Sequence, residues 1–228
     1  MTTPALTQEP KAASNVLFNL TYSPPIPLDS LPAKGCYLVH ATNCLGIWGA
    51  GVAAELKMLY PRAFESYKTF CNVKEEGGGW SGRDNCGSCL VCEPEMPKDG
   101  TIGEVTENES GKPDEGVRVV CLCTSWGFGK GGTRSSARGK GGPRGKNGGS
   151  GRPGKDPPDV ILRQTESALR EFREILQGQR VGHRKVVIYS PRFNAGLFKV
   201  PWERTEAKIR EVFQGFEGIW VVIEPPQE

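Results

Sequence analysis

The chain has 228 residues, of which 37% are hydrophobic and 24% are charged, and its formal net charge is +3. This length allows one domain with a sizeable core, and so small a net charge does not by itself predict a partner. No apolar run approaches the roughly 20 residues that a membrane helix needs, and residues 1–14 lack the basic-then-apolar pattern of a signal peptide. We therefore expect a cytosolic or nuclear protein without membrane contact, whose eight cysteines are reduced thiols.

Two strands and two helices are predicted in the first part of the chain, after a loose tail over residues 1–14. Apolar runs over residues 16–22 and 36–41 predict strands, and the second run is continuous enough for a strand with both faces buried. Apolar side chains at helical spacing predict a helix over residues 51–60 and a second helix that Pro61 opens.

Two segments in the middle of the chain interrupt this pattern. Residues 74–116 are acidic, and we interpret them as an insertion with one short strand over residues 89–93. Residues 117–124 are typical of a buried strand. Residues 127–158 are a low-complexity mixture of Gly, Lys and Arg that is predicted to be disordered or mobile. Its basic part, residues 129–155, could attract RNA, but it has no aromatic residue on which bases would stack, so nucleic-acid binding is not expected.

The last third of the chain alternates between helix and strand. The clearest amphipathic pattern predicts a helix over residues 160–177, followed by a strand over 185–190, a helix over 201–213 and a strand over 219–223. This alternation predicts an α/β fold with a mostly parallel sheet flanked by helices. Ligands of such folds bind at the carboxyl ends of the strands, where the strand-to-helix loops gather.

Residues 40–52 are the first candidate ligand loop, because they leave a predicted buried strand and enter a predicted helix. Gly46, Gly49 and Gly51 allow positive φ and close backbone approach, so that N–H groups at the helix N-terminus would favour a phosphate. The same glycines also fit an ordinary strand-to-helix turn. The Gly-x-x-x-x-Gly-Lys-Ser/Thr and Gly-x-Gly-x-x-Gly patterns are missing from this loop, which argues against a kinase-like or dehydrogenase-like site.

Residues 190–202 are the second candidate loop. Gly196 lies in its middle, and Pro201 can open the helix that follows. Phe198 could cover a ribose or a base of a ligand, or it could simply fill the core. Two such loops at strand carboxyl ends together favour a site for a diphosphate.

Four segments, residues 39–53, 59–63, 120–125 and 191–205, carry a resemblance to a known family. The first contains His-Ala-Thr-Asn-Cys-Leu-Gly-Ile-Trp-Gly-Ala-Gly-Val, and the last contains Asn-Ala-Gly-Leu-Phe-Lys-Val-Pro-Trp. Together they resemble macro domains, and more narrowly the small ADP-ribose 1''-phosphate phosphatases of the Poa type. The resemblance implies a single three-layer α/β/α domain over residues 15–224, with a mixed, mostly parallel sheet.

The resemblance also implies a function. It predicts a phosphatase that hydrolyses the small molecule ADP-ribose 1''-phosphate to ADP-ribose and phosphate. The two loops contain no cluster of metal ligands, so we expect no metal and no cofactor, and we expect a monomer. Two alternatives need the same cleft: a non-catalytic module that binds ADP-ribose, and a hydrolase that removes ADP-ribose from proteins. Phe198 argues against the hydrolase, because related enzymes that strip ADP-ribose from glutamate have an Asp there. Residues 20–23 also lack the Asp with which many macro domains grip the adenine amino group.

Specific site residues follow from the same resemblance. Asn43 would hold the distal ribose, and backbone N–H groups of the two loops would hold the diphosphate. The expected substrate-binding residues are Ala41, Thr42, Trp48, Gly49, Ala50, Gly51, Val52, Asn194, Ala195, Gly196, Leu197 and Phe198.

His40 and Asn43 are the expected catalytic residues. Because neither loop contains a carboxylate, His40 is the predicted general base, and activity should fall on acidification through a pKa of about 6 to 7. The alternative is that His40 is a packed strand residue.

The cysteines allow two further interpretations. Cys86, Cys89 and Cys92, with Cys71 upstream, could form a zinc site, since structural zinc prefers four N or S ligands. Cys89 and Cys92 could equally belong to a strand. Cys44 could act as a nucleophile near a helix N-terminus, but the Cys-x5-Arg spacing of cysteine phosphatases is missing.

Overall fold

Six strands form one mixed sheet in the computed structural model, which describes residues 18–32, 35–71, 82–94, 116–131, 152–179 and 185–224. In chain order the strands are β1 (Phe18–Ser23), β2 (Cys36–Asn43), β3 (Cys89–Val91), β4 (Val117–Ser125), β5 (Val186–Pro191) and β6 (Gly218–Ile223). Their order across the sheet is β1-β6-β5-β2-β4-β3, and every neighbouring pair is parallel except β3 and β4. The carboxyl end of β2 therefore lies between those of β5 and β4.

Four α-helices within the described ranges cover the two faces of the sheet. They are α1 (Val52–Leu59), α2 (Pro61–Cys71), α3 (Pro158–Gly178) and α4 (Trp202–Val212). Within β2, Leu38 packs into the core beneath α1 and α2, whereas Val39 packs into the core beneath α3 and α4. Both faces of β2 are therefore buried, which explains its continuous apolar run and confirms the predicted three-layer α/β/α fold.

The element boundaries agree with the predicted pattern to within a few residues. The predicted strand over residues 89–93 is the three-residue strand β3, which pairs antiparallel with β4 at the sheet edge. Residues 82–94 thus extend the sheet, so the predicted insertion over residues 74–116 contributes to the core. The predicted tail over residues 1–14 lies outside the described residues. No described helix combines the length and the apolarity that a membrane crossing requires.

The prediction of disorder over residues 127–158 is wrong at both ends of that segment. Residues 127–131 and 152–157 lie against each other, so closely that a Cβ built on Gly127 would be 2.1 Å from the carbonyl oxygen of Pro153. The Asp156 carboxylate accepts a hydrogen bond from the backbone N–H of Trp126 at 2.8 Å. These contacts order both ends, while residues 132–151 lie outside the described residues.

Removal of residues 132–151 should leave the folded core intact. The two ends already lie side by side, since a Cβ built on Gly131 would be 3.5 Å from the carbonyl oxygen of Arg152. A short Gly/Ser linker can therefore close the gap, and we expect a change in the free energy of unfolding of less than about 1 kcal/mol. Thermal denaturation measures this change. A deletion of residues 130–155 is the contrasting variant, because it also removes the ordered residues 130, 131 and 152–155, and it should be clearly less stable.

Candidate functional site

A cleft opens at the carboxyl ends of β2 and β5, where the sequence pattern predicts a ligand. Its walls are loop 1, defined as residues 44–51, and loop 2, defined as residues 192–201. The cleft encloses about 270 Å³, near the lower end of the range for small-molecule sites. Every predicted site residue lines it except Ala195, which packs instead against the core beneath α3 and α4.

Asn43 holds loop 1 in shape from the end of β2. Its Oδ1 accepts hydrogen bonds from the backbone N–H of Leu45 at 2.8 Å and from the hydroxyl of Tyr67 at 3.0 Å. Its Nδ2 donates to the carbonyl oxygen of Ile47 at 2.6 Å. Both lone pairs of Oδ1 are thus engaged within the protein, and one amide hydrogen remains for a ligand.

Gly51 connects loop 1 to α1 in a conformation that favours glycine. Its φ is 59° and its ψ is −149°, and a Cβ built on it would have no atom within 4 Å. No side chain in the described part of the chain caps α1. The first N–H groups of a helix have no partner within it, and Val52 and Ala53, which carry two of them, line the cleft. Loop 1 therefore brings backbone donors and the positive end of a helix dipole to the cleft.

Trp48 anchors the middle of loop 1 in the core. It is 3% exposed, and its ring stacks on Tyr67 with centroids 5.2 Å apart. The rings of Trp48 and His40 are nearly perpendicular, with their centroids 4.7 Å apart. Its Nε1 is buried with no hydrogen-bond partner in the described part of the chain. Aromatic packing rather than hydrogen bonding thus fixes the Trp48 side chain.

Loop 2 is held by the buried side chain of Asn194. Its Nδ2 donates to the hydroxyl of Thr165 on α3, and its Oδ1 accepts from the hydroxyl of Thr124 on β4, both at 2.9 Å. The φ of Asn194 is 65°, a conformation that asparagine tolerates better than most residues. Its backbone carbonyl also accepts the N–H of Val200 at 3.0 Å. The side chain therefore braces the loop.

Phe198 has features of both predicted roles, covering a ligand and filling the core. It lines the cleft, yet it is 7% exposed and packs against Ile161 and Leu162 at the start of α3. Its carbonyl oxygen accepts a hydrogen bond from Lys155 Nζ at 2.9 Å. The ordered end of the Gly/Lys/Arg segment is thereby tied to loop 2.

His40 does not have the properties of the predicted base. Its ring is 2% exposed, and its Nε2 lies 3.7 Å from Cys121 Sγ. Burial disfavours the imidazolium and lowers the pKa of His40 to about 3. This direction runs against the expectation that His40 titrates at about 6 to 7. It is a packed strand residue that supports Trp48.

The depressed pKa of His40 predicts a pH-dependent stability. An unfolded histidine has a pKa of about 6.5, so the unfolded state binds the extra proton first as the pH falls. The contribution of His40 is complete above about pH 6.5 and is lost on acidification toward the folded value. We expect the free energy of unfolding to fall by about 3 kcal/mol between about pH 7 and pH 4 from this residue alone.

Urea titrations across this pH range test the expectation. The dependence of the free energy of unfolding on pH should be much weaker in His40→Gln. It should be unchanged in His183→Gln, which removes the other of the two histidines. Equal slopes in the parent and in His40→Gln would contradict it.

The cysteine group that could have formed a zinc site does not assemble. Cys89 packs into the core beneath α3 and α4, whereas Cys92 packs into the opposite core beneath α1 and α2. Cys86 instead meets Cys44, with 3.4 Å between their sulfurs. In the described ranges no group of His, Cys, Asp or Glu side chains is arranged to hold a metal ion. Cys44 is buried and does not line the cleft, which removes the basis for a nucleophile there.

Several cleft residues were missed from the sequence. Five of them lie within residues 39–53 and 191–205, the first and last segments that carry the resemblance, so they could have been predicted: Ile47, Ala53, Pro191, Arg192 and Phe193. Phe128 had no such signal, because it lies in the low-complexity segment. Tyr67 lies in the second predicted helix, and only the structure shows that its hydroxyl supports Asn43.

Comparisons with known proteins agree with this geometry. No family model matches the chain. The ADP-ribose 1''-phosphate phosphatase of Neosartorya fischeri is 30% identical over 199 residues, covering 78% of this chain and 82% of that protein. The enzyme of the same name from Meyerozyma guilliermondii is 33% identical over 180 residues, covering 76% of this chain and 82% of that protein.

Solved structures of low sequence identity share the fold. The macrodomain of Thermus aquaticus DarG superposes with a TM-score of 0.51 at 18% identity, covering 92% of this chain and 99% of that one. The structure of Thermosipho africanus DarTG in complex with ADP-ribose superposes with a TM-score of 0.54 at 13% identity, covering 92% of this chain and 42% of that one. These similarities identify the α/β/α fold described above as that of macrodomains.

Proposed function

The chain belongs to the ADP-ribose 1''-phosphate phosphatase family, and we propose that it hydrolyses ADP-ribose 1''-phosphate to ADP-ribose and phosphate in the cleft between loop 1 and loop 2. One observation carries the assignment of the site. Two glycine-containing loops leave the neighbouring parallel strands β2 and β5 and line one cleft, to which the start of α1 also brings backbone N–H groups. An elongated anionic ligand with a central diphosphate fits such a pair of loops.

Loop 1 supplies the donors for the diphosphate in this proposal. Among the described residues no side chain caps the N–H groups at the start of α1, and Gly51 leaves open space in front of them. Loop 2, held by the Asn194 side chain, faces them from the other wall. The remaining amide hydrogen of Asn43 would orient the distal ribose.

The charges around the cleft also favour an anion. No carboxylate is among the described residues that line it, and Arg192 contributes a positive charge to the wall. Glu224, which does not line the cleft, forms an ion pair with the Arg192 guanidinium at 2.6 Å and orients this side chain. This pairing is partly exposed, so we assign it an orienting role rather than a large stabilising one.

The chemistry is a transfer of the terminal phosphoryl group to water. Because burial keeps His40 neutral, the proposal relies on donors that contact the phosphoryl oxygens and on the orientation of the ribose. The pH–rate profile should therefore show no acid limb from His40. The parent and His40→Gln should share one pH dependence even if their rates differ.

A second candidate follows from the same observation. A cleft whose described lining has no carboxylate and only a neutral histidine is also suited to bind ADP-ribose without hydrolysis. In that case the protein would be a reader rather than an enzyme.

Two measurements on the purified chain separate these functions. Incubation with ADP-ribose 1''-phosphate should release inorganic phosphate, and calorimetry with ADP-ribose should detect product binding. Binding without phosphate release would identify a reader and contradict the phosphatase. Release of ADP-ribose from a modified protein, with no phosphate released from ADP-ribose 1''-phosphate, would instead identify the protein hydrolase.

A further inference from the structure

Four cysteines form a row of sulfurs behind loop 1. Cys86 Sγ lies 3.4 Å from Cys44 Sγ, the Cys44 thiol contacts Cys123, and Cys123 also contacts Cys71. These residues come from the turn before β3, from loop 1, from β4 and from the end of α2. The row is thus a product of the fold and not of any local sequence motif.

Only one end of the row is accessible. Cys86 is partly exposed, whereas Cys44, Cys71 and Cys123 are buried. The neighbouring thiols and burial raise the pKa of Cys44, which keeps it protonated. A reagent in solvent therefore reaches Cys86 first, and Cys44 is the nearest partner for it.

The turn that carries Cys86 is packed tightly against loop 1. A Cβ built on Gly82 would lie 2.1 Å from the carbonyl oxygen of Cys44, and the φ of Gly82 is 88°. On the other side of Cys86, the N–H of Gly87 donates to the carbonyl oxygen of Cys123 at 2.8 Å. Asn85 adds a hydrogen bond to the carbonyl oxygen of Phe70. The backbone on both sides thus holds the two sulfurs together.

We propose that Cys44 and Cys86 are a redox-sensitive pair, which a hydroperoxide converts to a disulfide that alters the ligand cleft. The hydroperoxide ROOH oxidises the Cys86 thiol to a sulfenic acid and is reduced to ROH. The Cys44 sulfur then attacks the Cys86 sulfur, forming the S–S bond. The hydroxyl of the sulfenic acid leaves with the Cys44 proton as water. A dithiol reductant returns both thiols.

The cleft responds because Cys44 directly follows Asn43. Bond formation brings sulfurs that are 3.4 Å apart to about 2.05 Å, so Cys44, Cys86 or both must move. The backbone N–H of Cys44 donates to the carbonyl oxygen of Trp126 at 3.0 Å, and a shift there displaces the end of β2. The effect on the ligand rests on the proposed function, whereas the disulfide itself does not.

The experiment uses the full reduced chain treated with a small excess of hydrogen peroxide. Mass spectrometry of proteolytic fragments should find residues 44 and 86 linked, with a mass loss of two hydrogens that dithiothreitol reverses. Cys86→Ser should abolish this linkage. Cys89→Ala removes a buried thiol three residues after Cys86 and should leave the linkage between residues 44 and 86 intact. Calorimetry should show about fivefold weaker ADP-ribose binding by the oxidised parent and no change in treated Cys86→Ser.

Each other result overturns part or all of the proposal. No linkage between residues 44 and 86, or a reversible loss of two hydrogens that persists in Cys86→Ser, would exclude the pair as the reactive site. One equivalent of zinc in the purified protein, lost in Cys86→Ser, would identify the row as a metal site instead. A linked protein with unchanged ADP-ribose affinity would show that the disulfide does not act on the cleft. A reduced protein that binds no ADP-ribose would contradict the proposed function, with the linkage result still valid.

Discussion

Gly51→Glu should weaken ADP-ribose binding by at least about a hundredfold, or about 3 kcal/mol. The new side chain extends from the loop 1 junction in front of the first N–H groups of α1, where the proposal places the diphosphate. Its carboxylate would repel the ligand and would occupy the donors that the ligand needs. Calorimetric titration of the folded variant measures the loss, and an unchanged affinity would exclude loop 1 as the diphosphate site.

Two variants separate the charge from other effects of this change. Gly51→Ala imposes the same backbone strain, because the φ of 59° disfavours any side chain, but it adds no charge. It should lose about 1–3 kcal/mol of stability, as Gly51→Glu does, while retaining most of the affinity. Gly178→Glu adds the same charge at the end of α3, where a Cβ has open space, and should leave binding unchanged.

Asn43→Ala should lower kcat/KM by on the order of a hundredfold or more, through effects on both kcat and KM. The substitution removes the acceptor for Leu45 and the donor for Ile47, so loop 1 loses its brace as well as the proposed ribose contact. It also leaves the buried Tyr67 hydroxyl with one acceptor fewer. We expect a loss of about 2–4 kcal/mol in the free energy of unfolding, from several broken buried hydrogen bonds.

Tyr67→Phe distinguishes bracing from ligand contact. It removes the hydroxyl whose single hydrogen is shared between the backbone carbonyl oxygen of Asn43 at 2.8 Å and its Oδ1 at 3.0 Å. The Asn43 amide itself stays in place. We expect a smaller loss of stability, about 1–2 kcal/mol, and a fall in kcat/KM of about tenfold or less. If Tyr67→Phe and Asn43→Ala were equally damaging to kcat/KM, Asn43 would act only through the shape of loop 1. If Asn43→Ala retained full activity, neither role would stand.

The fold and the location of the cleft follow from patterns that lie close together in the sequence. A continuous apolar run predicts a strand with both faces covered, and β2 has helices on both faces. Glycine-containing segments after β2 and β5 predict ligand loops, because the carboxyl ends of parallel strands lie at one edge of the sheet. These inferences need only local periodicity and a general rule of chain topology.

Only the tertiary structure decided the state of individual groups within that frame. The pKa of His40 depends on its burial beside Trp48 and Cys121, and neither contact is visible in the pattern around residue 40. The meeting of Cys44 and Cys86 depends on a turn that packs across loop 1 from more than forty residues away. A side chain's protonation and reactivity are set by the atoms around it and by its access to water. Those neighbours come from distant parts of the chain, so they exist only once the chain has folded.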